Sequence, residues 1–244
     1  MRFSLFLLII VLCSCNSAQK ELTAQDIIDF SIKKSGMDKV SNASITFDFR
    51  DKSYKAERKN GLFKLQRYFE NDTIIIEDYI TNDSYKRFVN NKLEVAPDSM
   101  KKKYSNSINS VHYFSVLPFG LNDAAVRKKK LPEVSIKGKE YYKIEITFDE
   151  NEGGEDFEDV FIYWINKQTF LIDYLAYEYH TNGGGKRFRA VTKENLVNGI
   201  RFADYDNYKP KNDTLKLKNI DKAFQDNLLL KVSEINLENI AVKL

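Results

Sequence analysis

At 244 residues, with 43% hydrophobic and 13% aromatic side chains, the chain can build one all-β domain around a sizeable core, which excludes disorder as its ground state. Thirty-eight Lys and Arg against 35 Asp and Glu leave a formal charge of +3. That near-balance lacks the basic excess of a dedicated nucleic-acid binder.

Met1-Arg2 supplies one positive charge, and Phe3 to Leu12 is almost wholly apolar. The run is too short for a membrane-spanning helix of roughly 20 residues and suits the core of a secretory leader. Leu12-Cys13-Ser14-Cys15 resembles a bacterial lipobox, with a small residue directly before the cysteine to be acylated. Cys13 fits worse, because bulky Leu12 precedes it. The resemblance implies a signal peptide over 1–14, cleavage before Cys15, diacylglycerol on its thiol and a further palmitate-type chain on the new amine. Several buried chains, at about 0.8 kcal/mol per CH₂, make such an anchor permanent. Residues 15–23 are then the acylated cysteine with a polar tether, and 24–244 a single folded domain. No cysteine follows Cys15, so the mature domain has no disulfide, thiol nucleophile or cysteine metal site. Asn16 is not the Asp that retains enteric lipoproteins in the inner membrane. The outer membrane is therefore expected, with the periplasmic or surface face left open.

The domain begins with a helix over Ala24–Ser35, capped by Thr23, closed by Gly36, with Ile27, Phe30 and Ser31 on one face. From Ala43 the period falls to two, with Ala43, Ile45, Phe47 and Phe49 alternating with polar residues. Short strands follow at Ser53–Lys59, Leu62–Phe69, Thr73–Ile80 and Tyr85–Val89, broken by Asn60-Gly61, Asn71-Asp72 and Asn82-Asp83. After Pro97 a second helix is predicted over Asp98–Val116, with Tyr104, Ile108, Val111 and Ser115 near one stripe. Leu117–Leu121 reads as an exposed apolar terminator. Strands resume at Val134–Ile136 and Glu140–Phe148. Val160–Ile165 and Phe170–Tyr177 flank the turn Asn166–Thr169, and the Gly-rich break Thr181–Gly185 leads to Arg187–Thr192. Ile200–Tyr208, Thr214–Leu217 and Val232–Val242 complete a set of about a dozen strands with two helices.

Several motifs invite a chemical reading. Asp149–Asp159 holds seven carboxylates in eleven residues, but it lacks the oxygen spacing of an EF-hand and reads as a solvated acidic hairpin. Gly183-Gly184-Gly185-Lys186 is followed by Arg187 and a strand, not by Ser or Thr and a helix, so it is a turn and not a phosphate loop. His112 and His180 are the only histidines and define no metal site. His180 follows Glu178 on one strand face, the one pair that proton transfer would use, although a structural or rim role accounts for both. No serine sits in a nucleophile elbow. Arg187 and Arg189 flank Phe188 and share a strand face, where they would pair the acidic loop or receive an anionic head group. Lys101–Lys103 and Arg127–Lys130 are basic runs that would touch anionic lipid or simply be solvated. Both faces of Val160–Ile165 and Phe170–Tyr177 are apolar. One must cover helices. Part of the other is expected to line a cavity, unless the inserted helix and C-terminal strands cover it.

The segments A-S-I-T-F-D-F-R, K-Y-S-N-S-I-N-S-V-H-Y-F, G-G-E-D-F-E-D-V-F-I-Y-W-I-N-K and D-Y-L-A-Y-E-Y-H-T-N-G-G-G-K-R-F-R resemble a family of uncharacterised Gram-negative lipoproteins, over nearly the whole mature chain. The strand-W-I-N-K-Q-T-strand hairpin is similar to that of the Lol-pathway lipoprotein carriers. That resemblance implies a mainly β (α+β) fold: a curved antiparallel sheet or half-open barrel of about 10–12 strands, closed over one N-terminal and one inserted helix. A Schiff-base aldolase barrel is excluded, since its eight strand–helix units are missing. The resulting expectation is a monomeric, membrane-anchored protein that is not an enzyme and uses no cofactor. It binds an acyl chain or other amphiphile through Tyr163, Trp164, Tyr174, Tyr177, His180, Arg187 and Arg189. The alternatives are an envelope interaction protein with a filled core, and an enzyme using Glu178 and His180.

Overall fold

The computed structural model describes residues 21–150, 157–180 and 183–244. The segment read from the sequence as a leader, Cys13 and Cys15, most of the acidic segment Asp149–Asp159 and Thr181-Asn182 lie outside the described residues.

Helix α1 (Ala24–Lys34) starts where its cap predicts. The Thr23 hydroxyl accepts from the Asp26 amide and the Asp26 carboxylate accepts from the Thr23 amide at 2.9 Å, a reciprocal capping box. The buried face is Ile27, Ile28 and Ser31. Phe30, assigned to that face from the sequence, is 41% exposed and lies against Phe170 on the flank. Gly36 follows at φ +70°, and a Cβ there would stand 1.8 Å from the Gly199 carbonyl oxygen. Only glycine permits that approach. The Ser35 carbonyl accepts from the Arg201 amide at 2.9 Å, which fastens the end of the helix to the sheet.

The first sheet is a meander of β1 (Ser44–Phe49), β2 (Lys52–Lys59), β3 (Leu62–Asn71), β4 (Ile74–Thr81), β5 (Tyr85–Val89) and β6 (Lys92–Glu94). Asn60-Gly61, both at positive φ, make the tight turn the sequence indicates. Helix α2 (Asp98–Ser115) lies across this sheet and buries Ile108, His112 and Ser115. His112 Nε2 sits 3.1 Å from the Gln66 carbonyl, and its ring packs edge-on against Phe47 and Tyr54. Burial pushes its pKa down to about 4, so the imidazole is neutral. Leu117 and Leu121, expected to be exposed, are buried against Ile27 and Ile28 of α1. They plug the gap between the two helices.

The second sheet comprises β7 (Val126–Ile136), β8 (Lys139–Phe148), β9 (Val160–Asn166), β10 (Ile172–Tyr179), β11 (Gly185–Val197), β12 (Ile200–Pro210) and β13 (Leu229–Ile235). β7 begins eight residues earlier than predicted from the sequence, because the run Arg127–Lys130 is strand and not a loose basic loop. It forms an edge, where the four consecutive cations Arg127–Lys130 and Pro132 discourage pairing with another chain. Thr214–Leu217 is not a strand. It leads into a short helix, α3 (Ile220–Gln225), too brief for a helical period to show.

The predicted strand Val232–Val242 is two strands in different sheets. β13 pairs with β12, and after Asn236-Leu237 the chain enters β14 (Glu238–Lys243), which pairs with β1. The buried Asp204 carboxylate accepts from the Leu237 amide at 2.9 Å and fixes the crossing. The orders are β14-β1-β2-β3-β4-β5-β6 and β13-β12-β11-β10-β9-β8-β7, all neighbouring pairs being antiparallel. The class is the one expected, a mainly antiparallel half-open barrel, with two seven-stranded halves and three α-helices among the described residues.

Candidate ligand cavity

Strand parity decides which aromatic residues reach the interior. On β9 and β10, Phe161, Tyr163, Ile165, Leu175 and Tyr177 point to the concave side, where they meet α1 and α2. Ile162, Trp164, Tyr174 and Ala176 point the other way. That second face is filled by Phe188 of β11 and by Ile220, Ala223 and Phe224 of α3. Phe188 and Phe224 lie 4.7 Å apart, and Trp164 Nε1 donates to Asp221 at 3.3 Å. The Lys143 ammonium joins the same carboxylate at 3.0 Å. Trp164 is therefore a core residue under α3 and Tyr174 a half-buried one packed against the same cluster, a correction to their reading as ligand contacts. The sequence showed two apolar faces without deciding between them, and α3, the helix it did not show, covers this one.

The cavity lies on the concave face instead. It measures about 720 Å³ and opens between α2, the β9-β10-β11 wall and the start of the β1–β2 turn. Its apolar wall is built by Phe114, Phe148, Phe161 and Tyr177, whose rings contact one another at 5.3–6.2 Å. Tyr113 closes one side, with its hydroxyl 3.1 Å from that of Tyr163. Burial pushes Tyr113 up to about 12 and Tyr163 well above the ordinary phenol range, so both stay neutral. Tyr163 is fully buried behind Tyr113 and does not itself line the space.

Arg187 and Arg189 stand opposite Tyr177 and Leu175 on β11, and both line the cavity. Arg189 is only 8% exposed. Its guanidinium lies 3.8 Å from the Phe114 ring centre, and Nη2 donates to the Tyr177 hydroxyl at 3.0 Å. Arg187 donates to the Lys186 carbonyl at 2.8 Å and sits 5.4 Å from the Tyr179 ring. Among the described residues neither arginine forms a salt bridge; the acidic segment read from the sequence as their fold contact lies mostly outside the described residues. Among the described residues Arg50 is a third cation of the lining and Asp159 its one carboxylate.

The proposed proton-transfer pair is not assembled. Glu178 is engaged by Lys186 at 2.8 Å, while His180 Nδ1 lies 3.7 Å from Asp159 with its side chain 53% exposed. His180 is a rim residue. Of the seven candidates, the structure brings Tyr177, Arg187 and Arg189 together on the lining. Phe114 and Tyr113 were missed. Their signal was present, since α2 carries this aromatic pair off the stripe that packs on the first sheet. A helix apolar on two faces is sandwiched between two layers.

A half-open antiparallel barrel with an aromatic, cation-edged cavity on its concave side is the class of protein these observations define. The chain belongs to DUF6503, a family of unknown function, whose profile matches residues 1–237. This membership bears out the resemblance to an uncharacterised family. No curated protein matches the chain. Among solved structures it is similar to a putative outer membrane lipoprotein-sorting protein domain from Vibrio parahaemolyticus, at 10% identity over 90% of this chain and 93% of that one, TM-score 0.46. It is also similar to a DUF1329 family protein from Desulfovibrio piger, at 10% identity over 90% and 92%, TM-score 0.44. Lipoprotein LppX of Mycobacterium tuberculosis is similar at 13% identity over 66% of this chain and 90% of that one, TM-score 0.29.

Proposed function

We propose that this protein is a membrane-tethered binding module that holds an amphiphile, with its chain in the concave cavity. The observation that carries the reading is a 720 Å³ space walled by aromatic rings and edged by arginines, in a sheet whose opposite face is already filled by α3. That volume falls within the range of about 300–1,000 Å³ usual for small-molecule sites. Native mass spectrometry after gentle purification tests it, together with a fluorescent long-chain alcohol and a fluorescent fatty acid. Ser110 lines the mouth from the exposed side of α2. Ser110→Trp is expected to weaken both probes by roughly 10-fold or more at unchanged melting temperature, since it occupies the space where apolar contact is made. Ligand-free protein that ignores both probes would sink the reading.

The tether belongs to the same proposal. Cleavage before Cys15 and acylation there would leave 15–23 as a short leash to a single domain over 24–244 in the cell envelope, at the outer membrane. At the described end of this segment, Glu21 meets Lys130 of β7 at 2.6 Å, so the leash would leave along that edge. Cys15→Ala is expected to abolish incorporation of labelled palmitate and to release the protein from membranes. Persistent labelling would refute the assignment.

An envelope protein acting through a partner is the second reading. It draws on edge strand β13, where Leu230 and Val232 are each 44% exposed beside Leu228 at 52%. A partner crosslinked at Val232, together with an empty cavity, would favour it over the first.

A further inference from the structure

Four arginines are buried among the described residues: Arg67, Arg87, Arg189 and Arg201. Arg67 and Arg87 share the Asp78 carboxylate, at 2.6 and 2.7 Å, and Arg201 holds Glu194 at 2.7 Å. Arg189 alone of the four has no carboxylate partner among the described residues, and a buried guanidinium without a counter-charge is costly. Among the described residues one hydrogen bond, to the Tyr177 hydroxyl, engages its five donors, and Nε has no partner. Stacking on Phe114 orients the guanidinium plane without neutralising it. Among the described residues the group is thus buried without a counter-charge, on the lining of a cavity that also receives Arg187 and Arg50.

Resting on the binding role proposed above, we infer that the ligand is an anionic amphiphile. Its head is a carboxylate or phosphate monoester received by Arg189 and supported by Arg187, while its chain lies along Phe114, Phe148 and Phe161. A planar fork with free parallel donors suits two-point recognition of such oxyanions, which a neutral head cannot provide. The missing counter-charge then arrives with the ligand. The aromatic rings that stack on the guanidinium continue into the apolar wall, so head and chain sites are contiguous. Asp159, the one carboxylate of the lining among the described residues, lies beside His180 at the rim.

Titration calorimetry on the full chain carrying Cys15→Ala tests this, with dodecanoate, dodecyl phosphate, dodecanol and inorganic phosphate as separate probes below their micellar concentrations. Both anionic amphiphiles are expected to bind roughly 10- to 100-fold more tightly than dodecanol. Arg189→Leu should erase that preference, so that the anions bind the variant no more tightly than dodecanol does, and Arg189→Lys should restore part of it. The melting temperature of ligand-free Arg189→Leu should be equal or higher, because an unpaired buried charge is removed; a purely structural arginine would lower it. Equal binding of dodecanol and the anions, indifferent to Arg189→Leu, overturns the anionic head and leaves the cavity role standing. Binding of no chain-bearing probe overturns both. Inorganic phosphate binding as tightly as dodecyl phosphate overturns the contiguous chain site.

Discussion

Asp78→Asn is expected to destabilise the fold by about 3–5 kcal/mol, because it leaves two buried arginines without their shared counter-charge. Asp78 is fully buried on β4. It accepts from Arg67 Nη2 at 2.6 Å, Arg87 Nε at 2.7 Å and the Tyr85 hydroxyl at 2.5 Å. Asparagine keeps the shape but replaces one acceptor oxygen with a donor aimed at cations. The effect reaches the cavity, since Arg67 Nη1 also donates to Ser107 of α2 at 2.6 Å and helps hold that helix on the sheet. In a chain of this size the loss lowers the melting temperature by on the order of 10 °C, read by circular dichroism. Burial alone would raise the Asp78 pKa. The hydrogen bonds from Arg87, Tyr85 and Arg67 outweigh it and hold the carboxyl below its ordinary 3.8. Its stabilisation is therefore complete above about pH 4 and lost as pH falls through the depressed folded value. The wild type should show this acid loss, and Asp78→Asn should lack that component. A variant melting within a degree or two of the wild type would show that the cluster is dispensable.

Trp164→Ala is expected to cost about 3–5 kcal/mol, the usual range for deleting a large buried aromatic side chain. The indole is completely buried between β9 and α3 and donates to Asp221, so its removal opens a void and weakens the tie to the helix. The same variant should leave amphiphile affinity of the folded fraction within about two-fold, because Trp164 faces away from the cavity and the two effects act at separate places. Stability and binding thus divide between the faces of one strand. Urea unfolding alongside probe titration checks both, and a loss of affinity without a loss of stability would move the site to the α3 side.

Much of the architecture was legible in local patterns. The N-cap at Thr23, the period-two run from Ala43 and the Asn60-Gly61 turn are each decided by neighbours a few residues apart, and all appear where the sequence places them. The second helix is equally plain, from Asp98 to within a residue of its predicted end. Legibility failed where long-range partners decide the outcome. Thr214–Leu217 has strand-like alternation yet pairs with nothing, and Val232–Val242 reads as one strand because the change of sheet at Asn236-Leu237 depends on the Asp204 contact from a distant strand.

The sequence by itself determined a mainly β chain with an inserted helix, two apolar faces on the β9–β10 hairpin, and two arginines on one face of the following strand. Those properties follow from backbone periodicity, which is local. Only the tertiary structure decided which apolar face is packed and which borders a space. That choice rests on α3, six residues that cover Trp164 and Tyr174, and on α2, whose Phe114 turns Arg189 from a surface charge into a buried one. Burial is a property of the assembled neighbours, so the meaning of Arg189 emerges once both layers are in place.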